Sequence, residues 1–133
     1  MASLIAARRP PPAAEVAAER PPSAAQPAEL RGVAASPGLH HGVAQVVLTL
    51  EQAQSLGREQ ILVCEMTSPA WLPLLMVAGS VVTDRGGALS HAAIVAREFG
   101  IPAVTGTRRA TGVMVSGQPS EVNGTTGSVR ARS

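Results

Sequence analysis

VTDRGGALSHAAIVAREFGIPAVTG, residues 82–106, is the stretch that decides the fold of this chain. A short β-branched run ends at Thr83, and the polar and glycine residues after it predict a turn over 84–87. The small and apolar residues of 89–99 predict a helix, which Gly100 and Pro102 should end. Ala103–Thr105 then predicts a short strand. A strand, a helix and a second strand in succession indicate a mixed α/β domain.

His91 is the residue of this stretch that is best placed for chemistry. Ser90 is a good N-cap, so His91 falls in the first helical turn, where backbone N–H groups lack partners and the helix dipole is positive. Gly86 and Gly87 permit positive φ angles and a close approach of the backbone. An anion carried by His91 would therefore be stabilised. Histidine titrates near neutral pH, so a neutral, nucleophilic fraction of its imidazole is available.

Each of these features also has an ordinary structural explanation. A single histidine at the start of a helix is structural or merely exposed in most proteins. A Gly-Gly pair before a helix is often only a turn. Taken alone, these residues leave both a phosphoryl-carrying and a structural His91 open.

Segments upstream of this stretch extend the α/β pattern. Runs rich in valine, leucine and isoleucine predict strands over 42–50, Ile61–Cys64 and Ser80–Thr83. Residues 69–78 predict a helix with Pro69 in its first turn, although Pro73 is awkward there and could mark a later start.

Downstream of residue 106, many Gly, Ser and Thr residues separate short strand candidates around Val113, Val115, Val122 and Val129. Pro119 cannot donate a ladder hydrogen bond, so its strand should be an edge strand or be broken. The predicted fold class is therefore α/β.

Length and composition limit the class of protein. The 133 residues suffice for one domain, and aromatic residues make up only 2%, so an aromatic platform for nucleic acid is not expected. The net charge is +2, and the basic residues are all arginines scattered along the chain, which gives no nucleic-acid stripe. Cys64 is the single cysteine, and no apolar run approaches the ~20 residues of a membrane span. We therefore expect a cytoplasmic protein with neither a membrane nor a nucleic-acid partner.

Residues 1–29 differ in composition from the rest of the chain. They hold six prolines among many alanines, which disfavours both helix and sheet. We predict an Ala/Pro-rich disordered tail or linker over 1–29 and one folded domain over 30–133.

Other candidate residues have structural explanations that we favour. His40 and His41 are neighbours on a predicted strand, so they point to opposite faces and should not share a metal ion. Cys64 lies in an apolar run and is expected in the core. Trp71 is expected to pack on the core rather than at a docking surface.

The string GGALSHAAIVAREFGIPAV closely resembles the phosphohistidine motif in the mobile domain of the phosphoenolpyruvate-utilising enzymes. That family includes phosphoenolpyruvate synthase, pyruvate phosphate dikinase, enzyme I of the sugar phosphotransferase system and rifampicin phosphotransferase. The resemblance covers roughly residues 31–130. Ala35-Ser36-Pro37-Gly38 with Gly42 is similar to the opening turn of that domain. Ile61-Leu62-Val63 with Thr67, Pro69 and Trp71 is similar to its middle segment. Gly117-Gln118 and Asn123-Gly124-Thr125-Thr126-Gly127 are similar to its closing hairpin.

The resemblance implies a fold, a reaction and a site. The fold is the swivelling β/β/α phosphohistidine domain. His91 would be the phosphoryl acceptor, with Ser90 as its catalytic neighbour and Gly86, Gly87 and Ser90 binding the phosphate. The chain would be a phosphotransferase subunit or fragment, not complete on its own, that shuttles phosphate between a nucleotide site and an acceptor site. It would bind no cofactor or metal itself. ATP and Mg would bind on a partner subunit or domain, and the phosphoryl acceptor site would be one for pyruvate/phosphoenolpyruvate or another small molecule.

Several positions depart from the family pattern. The family often has a threonine two residues before the histidine, but Leu89 stands there, which leaves Ser90 as the neighbouring hydroxyl. Arg108 and Arg109 occupy a loop that usually holds glycine and a small polar residue. They could contact phosphate or form an exposed basic turn. Arg85 and Arg97 flank the motif and could clamp a phosphate or simply be solvated. Asn123 stands where aspartate is usual.

A second function stays open at this stage. The same fold occurs as an appended module on some pyruvate kinases, where it is not thought to be a carrier. The chain could therefore be a non-catalytic regulatory or interaction module. His91 favours the carrier, whereas Leu89 and the lack of a nucleotide-binding segment favour the module.

Overall fold

Apolar runs bounded by turn residues form the centre of the molecule. The computed structural model describes residues 29–132, and the tail predicted over 1–29 lies outside this range except for Glu29, the first residue of a strand. Eight strands are described: β1 (Glu29–Arg31), β2 (Val33–Ser36), β3 (Leu39–Val46), β4 (Ile61–Cys64), β5 (Ser80–Thr83), β6 (Ala103–Thr105), β7 (Pro119–Asn123) and β8 (Ser128–Ala131). The helices are α1 (Leu72–Val77), α2 (His91–Phe99) and α3 (Ala110–Val113), with 3-10 helices at Leu50–Ser55 and Pro69–Trp71.

The strands form one mixed sheet in the order β1-β8-β7-β3-β4-β5-β6-β2. Strands β3 to β6 run parallel, and the remaining neighbours pair antiparallel. Strand β3 joins the two kinds of pairing, because residues 39–43 pair with β7 and residues 44–46 with β4. Connections between parallel strands need crossovers, and these carry α1 and α2.

The two ends of the strand order are joined covalently. Strand β1 lies at one end and β2 at the other, and only Gly32 separates them in the chain. Gly32 donates its N–H to the Gly127 carbonyl at 2.9 Å, and a Cβ at Gly32 would collide with the Thr105 carbonyl. The sheet therefore curls back on itself.

Side-chain alternation along the central strands divides the core in two. Ile61 and Val63 face the inside of the curled sheet, where they pack with apolar residues of six other strands and Ala110. Leu62 and Cys64 face the other way, toward the helices, and pack with residues that include Leu74, Leu75, Val81, Ala93 and Ala96. The small residues of α2 let it lie close to the sheet.

The structure confirms several predicted elements. Ile61–Cys64, Ser80–Thr83 and Ala103–Thr105 are strands with the predicted bounds. Helix α2 ends at Phe99, and Gly100 follows it in the left-handed conformation with φ 73°. Cys64 is fully buried. The mixed α/β class is correct.

Other predictions were wrong in their details. The strand predicted over 42–50 starts at Leu39 and ends at Val46, and a 3-10 helix begins at Leu50. The helix predicted over 69–78 is a 3-10 turn followed by α1, which starts at Leu72 just before Pro73. Val113 belongs to α3 instead of a strand.

Strand β7 is neither broken nor at an edge. It lies between β3 and β8, with Pro119 as its first residue. A proline is tolerated at the first position of a strand because its missing N–H interrupts no interior ladder bond.

Residues 29–132 contain no helix that is both long enough and apolar enough to span a membrane.

Candidate functional site

Helix α2 presents His91 at its first residue. Ser90 is the N-cap, with φ −68° and ψ 162°, and its hydroxyl accepts a hydrogen bond from the Ala93 N–H at 3.4 Å. The same hydroxyl donates to the Gly87 carbonyl at 2.8 Å. The predicted N-cap and the predicted place of His91 are therefore confirmed, although the helix starts two residues after position 89. The half-buried His91 side chain lies at the carboxyl-terminal edge of the parallel strands.

Thr67 is the hydroxyl that contacts the imidazole. Its Oγ1 lies 2.8 Å from Nδ1 of His91, and its side chain is buried in the loop that follows β4. The expectation that Ser90 is the neighbouring hydroxyl for the ring was wrong, because the Ser90 hydroxyl is bonded to the backbone instead. One ring nitrogen of His91 is thus held, and within residues 29–132 no hydrogen-bond partner is found for the other, Nε2.

Two of the first four backbone N–H groups of α2 are free to bind an anion. The other two are occupied: the Ala93 N–H donates to Ser90 Oγ at 3.4 Å, and the Ile94 N–H donates to the Ser90 carbonyl at 3.0 Å. Across the described chain, the N–H groups of His91 and Ala92 have no acceptor. Unpaired N–H groups at the start of a nine-residue helix carry partial positive charge and suit an anion.

The glycine pair before α2 shapes the turn that leads to His91. Gly86 has a φ of 108°, and a Cβ there would lie 2.9 Å from Ser90 Oγ, so glycine is required. Gly87 has no positive φ; its carbonyl accepts from Ser90 N–H at 3.2 Å and from the Ser90 hydroxyl. Phosphate binding by Gly86, Gly87 and Ser90 stays a prediction.

Arg97 holds the turn in place. Its guanidinium donates to the Ala35 carbonyl at 2.7 Å and to the Ala88 carbonyl at 2.8 Å, which links strand β2 to the residues just before His91. Arg85 instead forms an exposed ion pair with Glu65, at 3.2 Å. Both arginines thus have protein partners, which sequence alone could not assign.

The other histidines lie away from this edge. His40 Nδ1 is 2.8 Å from Ser80 Oγ, at the amino-terminal end of β5, and burial lowers the pKa of the imidazole. His41 points to the other face, where it contacts Arg132 at 2.8 Å and Glu121 at 3.6 Å. The prediction that they face apart is confirmed. Within residues 29–132, no group of three or more His, Cys, Asp or Glu side chains could hold a metal ion.

Two further features complete the picture of single residues. Trp71 is half-buried and packs against the core cluster that contains Leu62 and Cys64, as expected. The Cys64 thiol has its pKa raised to about 12, mainly by burial and also by Asp84, so it is not a thiolate near neutral pH.

Apolar side chains flank the Thr67–His91 pair at the surface. Leu89 is 83% exposed, and Met66, next to Thr67, is 53% exposed. Leu89 therefore projects into solvent and does not take the place of a hydroxyl at the ring.

Comparison with known protein families identifies this arrangement. The family model described as "PEP-utilising enzyme, mobile domain" matches residues 56–127, which include Thr67, Ser90 and His91. The chain belongs to this family. The fold and family expected from the sequence are therefore confirmed.

Relatives of this mobile domain are much longer proteins. It is 48% identical over 102 residues to a probable phosphoenolpyruvate synthase of Staphylothermus marinus, covering 75% of this chain and 12% of the relative. It is also 48% identical over 103 residues to the phosphoenolpyruvate synthase of Aeropyrum pernix, covering 77% of this chain and 13% of that protein. The matched region thus spans about an eighth of the length of these two relatives.

Solved structures contain the same fold. The solution structure of an enzyme I protein matches with a TM-score of 0.53 and 29% identity, over 60% of this chain and 33% of that one. The aconitase X of Thermococcus kodakaraensis matches with a TM-score of 0.61 but only 16% identity, over 80% of this chain and 99% of that one. The second likeness concerns the fold alone.

Proposed function

We propose that this mobile domain is a phosphoryl carrier that takes a phosphoryl group on His91 from a nucleotide site and delivers it to an acceptor site. The observation that carries the proposal is the fixed imidazole at the start of α2. Thr67 holds Nδ1, Nε2 has no partner within the described residues, and two backbone donors lie beside the ring.

The proposed chemistry follows from which ring nitrogen is held. In the neutral tautomer with the proton on Nδ1, that N–H donates to Thr67 Oγ1 and leaves the lone pair on Nε2. Nε2 then attacks the phosphorus of the donor, a P–N bond forms, and the donor P–O bond breaks with its electrons on the leaving oxygen. In the second step an acceptor oxygen that has lost its proton, which for pyruvate is the enolate oxygen left when a methyl proton is removed at the acceptor site, attacks the phosphorus. The P–N bond breaks and its electrons return to Nε2, which restores the neutral imidazole.

The chain would stabilise the charge that arrives with the phosphoryl group. Hydrogen bonds from the N–H groups of His91 and Ala92 to charged oxygens would contribute about 1.5–3 kcal/mol each. The α2 dipole adds to this effect within the first turn. Ser90 contributes indirectly, because its cap keeps that turn helical.

The remaining parts of the reaction would come from other domains or subunits. We propose that ATP and Mg bind on a partner, and that the acceptor site takes pyruvate, which leaves as phosphoenolpyruvate, or another small molecule. Such a chain would be a phosphotransferase subunit or fragment. The names of the Staphylothermus and Aeropyrum relatives support a place in phosphoenolpyruvate synthase chemistry.

Labelling of the chain tests the carrier role. The donor is the Aeropyrum pernix phosphoenolpyruvate synthase with the residue aligned to His91 replaced by alanine, supplied with Mg and with ATP labelled at its β and γ phosphoryl groups. We expect a label on this chain that acid removes and alkali spares, as is typical of phosphohistidine. His91→Ala should abolish it. His40→Ala and His41→Ala should retain it.

Two outcomes would contradict the carrier proposal. Label that persists in His91→Ala would assign the phosphoryl group to another residue. An unlabelled wild-type chain, with a donor that binds ATP and regains activity when its own histidine is restored, would favour the regulatory or interaction module. Leu89 no longer favours that module, because Thr67 supplies the hydroxyl at the ring.

A further inference from the structure

Arg108 and Arg109 lie on the same edge of the sheet as His91. The hydrogen-bond ladder continues past the ends of β5 and β6, with Thr107 N–H donating to the Thr83 carbonyl at 3.0 Å and Arg108 N–H to the Asp84 carbonyl at 2.8 Å. Asp84 in turn donates its N–H to the Cys64 carbonyl at 3.1 Å, just before the loop that holds Thr67. Three adjacent loops, 65–68, 84–90 and 106–109, therefore form one surface.

The two arginines have no ion-pair partner on this surface. Both are exposed, and no carboxylate of residues 29–132 lies within ion-pair distance of either guanidinium. Two acidic residues lie on the same edge, and neither forms an ion pair with Arg108 or Arg109. Glu65 pairs with Arg85 at 3.2 Å, and the Asp84 carboxylate accepts from Thr111 N–H and its hydroxyl at 2.9 and 2.6 Å.

Arg108 also has an unusual backbone conformation. Its φ is 77°, in the left-handed region that glycine adopts without strain. The bond to the Asp84 carbonyl helps hold it there. Strained residues of this kind concentrate at functional sites. Glycine would adopt this conformation with less strain than arginine does.

We propose that Arg108 and Arg109 form a docking site for an acidic surface on the nucleotide-binding partner. This inference rests on the proposed carrier function, because a carrier must contact that partner through the edge of the sheet that holds His91. Arginine is enriched at protein interfaces, and complementary charge at an interface rim raises association rates more than it changes the chemical step. The apolar Leu89 and Met66 would contact the partner closer to the ring, inside this basic rim.

The main alternative is that the arginines hold the phosphoryl group on His91 itself. A clamp of that kind would act in the isolated phosphorylated chain, without any partner. A docking site acts only during association with the partner. Replacing the arginines should therefore shorten the lifetime of phosphohistidine in the isolated chain if they form a clamp, and should leave it unchanged if they form a docking site.

Charge reversal in the labelling assay tests the docking site. Arg108→Glu with Arg109→Glu should lower the apparent second-order rate constant for labelling at least tenfold near ~0.01 M salt, where the Debye length is about 30 Å. Near ~1 M salt, where it is about 3 Å, the variant and wild type should label equally fast. The rate at saturating donor should not change. Arg58→Glu with Arg130→Glu reverses two exposed arginines elsewhere and is the matched control.

Further measurements separate the possible failures. Arg108→Gly with Arg109→Gln removes the charges without backbone strain. It should lower the second-order rate constant for labelling at low salt less than charge reversal does, and this loss should likewise disappear at high salt. Equal loss in the Arg58 and Arg130 control, or no loss in the Arg108 and Arg109 variants, would overturn the docking site while leaving the carrier intact. Faster loss of label from the isolated variant would assign the arginines to the phosphoryl group instead. An unlabelled wild-type chain would overturn the carrier proposal and this inference with it.

Discussion

Thr67 and His91 lie 24 positions apart, yet they form the contact that defines the site. The motif 86–91 was enough to predict the histidine, its N-cap and the turn before it. The partner of the ring could not be predicted, because it depends on β4 and β5 lying side by side. The sequence offered one indication of this contact, because Thr67 matches the middle segment of the family domain. That match assigned no role to Thr67.

Replacing Thr67 tests whether the hydroxyl positions the ring. Thr67→Val keeps the shape but removes the hydrogen bond, which is worth about 0.5–1.5 kcal/mol, so the initial labelling rate of His91 should fall roughly two- to thirteenfold. Thr67→Ser should retain most of the rate. The ring ¹⁵N resonances of His91 should show a shift in the balance of its tautomers in Thr67→Val alone. A Val variant with wild-type rate and tautomer balance would contradict the positioning role.

His40 should make the stability of the fold depend on pH. Burial lowers its pKa from 6.5, so the unfolded chain binds a proton at higher pH than the folded chain does. Below about pH 6.5 the unfolded state gains protons first, and the free energy of unfolding should therefore fall as the pH falls. Urea unfolding at several pH values from 8 to 5 measures this. His40→Gln should flatten the profile, and an unchanged profile in this variant would contradict the role of His40.

At the level of single elements, prediction succeeded where burial alone sets the structure. Strands β4, β5 and β6 pair in parallel and are buried on both faces of the sheet, so they appear in the sequence as short apolar runs between turns. Prediction failed where contacts between residues far apart in the sequence determine the secondary structure. The Asp84 carboxylate bonds to Thr111 near the start of α3, which helps make 110–113 a helix where valines suggested strand.

The cap of α2 gives a prediction at the same scale. Ser90→Ala removes the acceptor for the Ala93 N–H and the donor to the Gly87 carbonyl, so the free energy of unfolding should fall by about 1 kcal/mol. Ser90→Thr should keep most of the stability. Denaturant unfolding measures both. A slower labelling rate in Ser90→Ala without any loss of stability would instead restore a direct role for the hydroxyl at the ring.

For the molecule as a whole, the closure of the sheet, in which its two end strands are joined through Gly32, could not be predicted from the sequence. Eight short strands can be paired in many orders, and neither the connection through Gly32 nor the interior position of β7 leaves a local pattern. The glycines at the seam show why this closure is specific. They lie where two backbones approach too closely for any side chain.

Gly124 provides the test of that closure. It lies between β7 and β8, donates its N–H to the Gly38 carbonyl at 2.8 Å, and a Cβ there would collide with the Ser36 carbonyl of β2. Because backbone must move to relieve the collision, Gly124→Ala should lower the free energy of unfolding by roughly 1–3 kcal/mol or more. Gly112→Ala is the matched control, since no atom lies within 4 Å of its Cβ and alanine favours the helix α3. Urea unfolding midpoints compare the two. Equal midpoints would mean that β2 does not lie against the β7–β8 hairpin and that the sheet is open at this seam.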